Sequence, residues 1–147
     1  MSLVYADNNA TTAVAPEVFE AMRPFLTERY GNPSSMHTFG GAVHHEIERA
    51  RSKVAALIGA AEPSEIIFTS CGTESDNTAI VSTLRSYPEK RHIITTKVEH
   101  PAVLSLCRYL EGVGYRVTYL NVDNEGLLDI NELKSLLKHL PPKALIL

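Results

Sequence analysis

The sequence predicts an α/β protein with a largely parallel sheet flanked by helices. Three stretches carry that expectation, each a β-rich run, then a loop, then a helical period: residues 65–84, 92–111 and 115–137. Successive strand-helix units of this kind bury both faces of a sheet by laying the strands parallel and the crossover helices over them. The loops at the carboxyl ends of the strands are then the natural place for a ligand.

Residues 1–15 show no sustained period and read as an extended entry segment, with the polar run Asp7, Asn8, Asn9, Ala10, Thr11 and Thr12 as loop. Pro16 suits a first helical turn, and Val18, Phe19, Met22, Phe25 and Leu26 recur at helical spacing. Pro24 is expected to kink or interrupt that helix, and residues 31–35 to stop it. A second helix follows, its stripe formed by Val43, Ile47, Ala50, Val54, Leu57 and Ile58, its other face by His44, His45, Glu48 and Arg51, and its stop by Gly59.

Residues 65–70 (Glu-Ile-Ile-Phe-Thr-Ser) then read as a strand, with Gly72 in a tight loop and a helix to about Leu84. His92 to Thr96 is the next strand, Val98, Glu99 and His100 its loop, and Pro101 to about Glu111 its helix. Tyr115 to Val122 is the third strand. Asp129 stands three residues before Glu132 as a helix cap, and Leu133, Leu136 and Leu137 give that helix an apolar face. Residues 143–147 look like the start of another buried strand, with nothing after them to cover its edge. The sequence therefore reads as an extended segment, residues 1–15, joined to an incomplete α/β domain, residues 16–147.

Composition bounds the function. With 147 residues, 44% hydrophobic and 21% charged, the chain has the make-up of one soluble globular domain. A net charge of -3 with both signs interspersed argues against a nucleic-acid partner or an anionic membrane surface. No apolar run approaches the ~18 residues of a membrane span, and no export signal is visible. Two cysteines, Cys71 and Cys107, are too few for a disulfide framework, so a reducing cytoplasm is expected, with both residues as small, partly buried thiols. No metal site is expected: His44 and His45 point about 100° apart on a helix, and neither HExxH nor a Cys/His cluster occurs.

Two segments carry chemistry. Residues 68–77 (Phe-Thr-Ser-Cys-Gly-Thr-Glu-Ser-Asp-Asn) turn from a strand into a helix N-terminus, where unpaired N–H groups and the helix dipole attract an anion such as phosphate. Gly72 permits close approach and Thr73 adds a hydroxyl. The plainer reading makes Gly72 a turn residue, with Glu74 and Asp76 as first-turn carboxylates that would repel a dianion if they faced it. Neither GxxxxGK[ST] nor GxGxxG is present, which argues against a nucleotide-binding module. His100 stands at the end of the next strand, placed to stack on a flat cofactor or move protons, or else merely to cap a helix. Asn8, Asn9, Thr11, Thr12, residues 31–35 and His37 are polar enough to line a site and are equally good turn formers.

Taken together, residues 5–12, 30–37, 68–77 and 98–103 resemble the cysteine desulfurase family, and the Ser-Cys-Gly-Thr wording at Ser70 to Thr73 is most like its nitrogen-fixation branch. The resemblance implies the N-terminal part of the large domain of a fold-type-I, class-V-aminotransferase-like enzyme dependent on pyridoxal 5'-phosphate. It implies a homodimer that removes sulfur from L-cysteine, giving L-alanine and an enzyme persulfide for an iron-sulfur scaffold or other sulfur acceptor. It assigns the cofactor phosphate to Gly72 and Thr73, and ring stacking with a catalytic proton shuttle to His100. The family's Schiff-base lysine, pyridinium aspartate and persulfide cysteine have no counterpart here: none of Lys53, Lys90, Lys97, Lys134, Lys138 and Lys143 lies in a Ser-x-His-Lys context. No turnover is expected of these residues alone. The alternatives are a non-catalytic protein that binds phosphate ligands or associates with desulfurase subunits, and a related fold-type-I lyase such as a selenocysteine lyase.

Overall fold

The computed structural model describes residues 4–139 and 144–147. The chain divides into two compact units, Met1–Ile67 and Phe68–Leu147. Met1 to Leu3 and Lys143 lie outside the described residues.

In the first unit, helix α1 spans Pro16–Thr27 with proline in its first turn, as its fixed backbone angle favours. Pro24 does not interrupt α1. It removes a single donor near the helix end, and its own carbonyl accepts from Glu28 N at 2.9 Å and Arg29 N at 2.7 Å. Helix α2 spans Thr38–Ile58 and stops at Gly59, whose φ of 73° is the left-handed conformation that glycine adopts without strain. At its start, the His37 ring accepts from Gly40 N at 3.2 Å. Gly40 is buried, and a Cβ there would collide with the Asn32 carbonyl oxygen and lie 2.7 Å from Ser35 Cβ. Arg29 reaches Glu46 on α2 at 2.6 Å, and this bond is the largest cause holding the Glu46 carboxyl below its ordinary range. Much of the apolar stripe expected to be covered is not: Leu57 and Ile58 are exposed, and Ala55 is the residue of that helix's second half that is buried.

The strand expected at residues 65–70 is absent. Glu65 belongs to a short 3-10 turn, Pro63–Glu65, and the residues after it join no sheet. Ile66 is extended and buried, while Ile67 is 70% exposed. A β-rich run becomes a strand only when a neighbour supplies the ladder, and none of the described strands pairs with this one.

The second unit contains α3 (Gly72–Ser86), β1 (His92–Thr96), α4 (Pro101–Gly112), β2 (Arg116–Leu120), α5 (Ile130–His139) and β3 (Ala144–Ile146). The sheet order is β2-β1-β3, both pairs are parallel, and His92 stands opposite Arg116 and Ala144. The parallel sheet flanked by helices is therefore as the sequence predicts, with β1 central. Ile93 and Ile94 are fully buried. On one face, Ile93 packs with Ile80 and Leu84 of α3 and Cys107 and Leu110 of α4, flanked by Val117, Tyr119 and Leu145. Burial and a hydrogen bond from its hydroxyl to Glu111 Oε2 at 3.0 Å push Tyr119 up to about 12, so it stays a protonated donor. Asp129 caps α5 by accepting from Asn131 N at 2.8 Å and Glu132 N at 3.3 Å.

That core fixes the direction of two helices. It draws on the second halves of both α3 and α4, and α3 ends just before β1 begins while α4 begins just after β1 ends. Both helices therefore run back along β1 and start at its carboxyl end.

Candidate functional site

The N-cap residue of α3, Cys71, makes no side-chain capping hydrogen bond. The first α3 amide with a carbonyl acceptor is Ser75, which donates to Cys71 O at 3.1 Å, so the Gly72, Thr73 and Glu74 N–H groups precede the helical ladder. Among the described residues, apart from its chain neighbours and its own helix backbone, no heavy atom lies within 4 Å of where a Cβ on Gly72 would stand, which leaves that side open to a ligand. The repulsive carboxylate anticipated at Glu74 is turned back instead. Glu74 Oε2 accepts from Ser70 N at 2.7 Å and from Ser70 Oγ at 2.6 Å, and these bonds hold its carboxyl below the usual value. The same loop is braced by Thr69, whose hydroxyl donates to Cys71 O at 3.1 Å and lies 2.5 Å from Ser75 Oγ.

Cys71 is not the partly buried thiol that its neighbours in sequence suggest. It is exposed, and the Glu74 backbone N–H, the Ser70 hydroxyl and the Thr73 N–H favour its thiolate and lower its pKa. Cys107 does match that expectation: it is buried in the core, and burial raises its pKa. A groove along α3 is lined by Cys71, Thr73, Glu74, Asn77, Val81 and Arg85, among others. Asn77 Oδ1 is buried with no hydrogen-bond partner.

His100 is the cap residue of α4, and its Nδ1 accepts from Ala102 N at 3.1 Å. The ring is exposed. Its loop is tied at Thr96, whose hydroxyl donates to Glu99 Oε1 at 2.9 Å, and at Lys97, whose Nζ donates to Asn121 Oδ1 at 2.8 Å. Gly72, Thr73 and His100 thus stand at the same end of the layer, an open helix start and an imidazole. Asn8, Asn9, Thr11, Thr12 and His37 belong to the other unit, where the first four are exposed and His37 caps α2.

The sequence places Asn77 in the 68–77 motif and Lys97 among lysines outside a Ser-x-His-Lys context, without a partner for either, and leaves Asn121 unmarked. The Lys97–Asn121 pair joins residues 24 apart, and no local pattern signals it. The return of Glu74 onto Ser70 had a sequence signal: an acidic residue at the third helical position commonly reaches back across the helix start. Among the described residues, no group of three or more His, Cys, Asp or Glu side chains is arranged to hold a metal ion, and no helix is long and apolar enough to cross a membrane.

The described fold is a parallel α/β layer with an open helix start and an imidazole at the carboxyl end of its sheet. The profile of the aminotransferase class-V family matches residues 4–145, and the chain belongs to that family. It is 63% identical over 135 residues to a cysteine desulfurase of Trichormus azollae, covering 92% of this chain and 34% of that protein. A solved NifS-like protein superposes with a TM-score of 0.86 at 42% identity, over 95% of this chain and 38% of that one. A structure described as SspA in complex with cysteine superposes with a TM-score of 0.85 at 36% identity, over 97% and 40%. The chain spans about a third of the length of the curated relatives it matches.

Proposed function

We propose that this chain supplies the cofactor-phosphate cradle and the stacking histidine of a pyridoxal 5'-phosphate-dependent cysteine desulfurase. In this reading residues 16–147 form part of the large cofactor-binding domain, after an extended segment over residues 1–15. The observation that carries the reading is the uncapped start of α3, with Gly72 open and Glu74 withdrawn onto Ser70, at the same end of the sheet as His100. The identity to desulfurases across 92% of the chain supports it. The whole protein would act on L-cysteine, giving L-alanine and an enzyme persulfide. It would work as a cytoplasmic homodimer that passes sulfur to an iron-sulfur scaffold or other acceptor, in the manner of the nitrogen-fixation branch.

The residues present fit the phosphate end of this cofactor. The Gly72 and Thr73 N–H groups and the Thr73 hydroxyl would donate to its oxygens, and the helix dipole adds attraction for the dianion. Bound pyridoxal phosphate supplies an electron sink for bond cleavage at the amino-acid substrate. His100 would lie against its ring and hold or move a proton at Nε2, because Nδ1 is engaged by Ala102 N. The Cys71 thiol borders the cradle and is not assigned the persulfide role.

The test is a titration of the protein carrying this chain with pyridoxal phosphate, followed by sulfide and alanine assays with L-cysteine. Thr73→Val is expected to weaken cofactor affinity about tenfold or more, the loss of one hydrogen bond to a charged group. Unchanged affinity in that variant, or alanine formed without sulfide when a thiol reductant is present to cleave the persulfide, would overturn the reading.

A further inference from the structure

His100 is separated from the end of β1 by Lys97, Val98 and Glu99, and Pro101 opens the helix immediately after it. Proline has no N–H, so the first amide of α4 able to donate is that of Ala102. The imidazole takes that donor on Nδ1 at 3.1 Å. A ring nitrogen that accepts a hydrogen bond must present its lone pair, so the neutral ring carries its proton on Nε2.

The bond survives only while the backbone between Thr96 and Ala102 keeps its course. Two contacts anchor that course to the carboxyl end of the neighbouring strand β2. Lys97 N donates to Leu120 O at 3.0 Å, and Lys97 Nζ donates to Asn121 Oδ1 at 2.8 Å. A third, from Thr96 Oγ1 to Glu99 Oε1 at 2.9 Å, closes the loop on itself. The backbone bond can form with any side chain at position 97. The ammonium-to-amide bond cannot, and it is the link between the two strand ends that depends on which residues are there.

We propose that Lys97 and Asn121 are a positioning pair which holds His100 in the single tautomer protonated at Nε2, so that Nε2 is the nitrogen offered for proton transfer. The role given to His100 rests on the proposed function above. The pairing itself is read by a signal that does not depend on it. Lys97 accordingly serves as a brace, with its Nζ engaged at the adjacent strand end.

The experiment uses protein labelled with 15N in the histidine rings, observed at neutral pH, with the His100 signals assigned by comparison with His100→Asn. The expected result is an unprotonated Nδ1 and a protonated Nε2. Lys97→Met and Asn121→Ala are expected to shift the tautomer ratio toward Nδ1–H by about fivefold, the order of one hydrogen bond. Asn121→Asp should keep the original ratio, since its carboxylate also accepts from the ammonium. A wild-type ring protonated at Nδ1, or a ratio unchanged in both Lys97→Met and Asn121→Ala, would overturn the proposal. If those two variants do not fold, the wild-type tautomer and the Asn121→Asp ratio decide it, and a ratio lost in Asn121→Asp counts against it. The cofactor titration decides the functional reading separately.

Discussion

Ile67 and Ile93 sit in runs that look alike as sequence, Ile-Ile-Phe-Thr and Ile-Ile-Thr-Thr, yet truncating them should have very different consequences. Ile93 is fully buried on the central strand, enclosed by Ile80, Leu84, Cys107 and Leu110. Ile93→Ala removes three carbons, a transfer loss of roughly 2–3 kcal/mol at about 0.8 kcal/mol per buried methylene. The neighbours come from two helices that are themselves fixed by the sheet, so the void closes only in part and the total reaches about 3–5 kcal/mol. Ile67 is 70% exposed, and Ile67→Ala should stay within about 0.5 kcal/mol. Urea unfolding followed by circular dichroism distinguishes them. With a slope of about 2 kcal/mol per molar, the first variant loses roughly 1.5–2.5 M in midpoint and the second about 0.25 M or less. Equal midpoints for the two variants would refute the assignment of the core to β1.

Gly40→Ala should destabilise by about 1–3 kcal/mol, because the added Cβ meets the Asn32 carbonyl, whereas Gly41→Ala, with nothing within 4 Å, should be neutral or gain up to about 1 kcal/mol of helix propensity; thermal melts of the pair check this. Burial, and secondarily the Arg116 charge, lower the His92 pKa below its ordinary value near 6.5. The unfolded chain then takes up the proton first as pH falls. Stability is full above that value and declines below it, and His92→Gln should flatten this part of a stability-pH curve. Iodoacetamide should alkylate Cys71 in the folded protein with a rate that rises at lower pH than for an ordinary thiol, while Cys107 reacts only on unfolding; peptide mapping reads both.

What the sequence disclosed depended on how local the cause was. Pro16, Gly59, Pro101 and Asp129 act within one turn of helix, and each stands where the pattern placed it. Gly72, Thr73 and His100 stand at helix starts that the loop-helix pattern marks, and α3 and α4 share a core that places both starts at one end of the sheet. The strand at residues 65–70 failed since pairing is a property of two segments, and only one was in view. The close approach at Gly40 and the pairing of Lys97 with Asn121 are illegible for a similar reason: each depends on a partner distant in sequence or a close backbone approach that composition does not encode. Cys71, expected to be partly buried, is exposed, and the donors that favour its thiolate are the Glu74 amide first and then the Ser70 hydroxyl, whose approach depends on how the loop folds.

The open start of α3 has a consequence for how the chain would respond to its surroundings. Within this chain, the proposed dianion would be met at Gly72 and Thr73 by main-chain amides and a hydroxyl, with no arginine or lysine in the first turn of α3. Amide donors neither gain nor lose protons across the range in which proteins stay folded. Retention of a phosphate ester at Gly72 and Thr73 should therefore follow the ester's own second ionisation, near pH 6. The grip of these amides would fade in acid because the ligand changes, while the amides themselves stay the same.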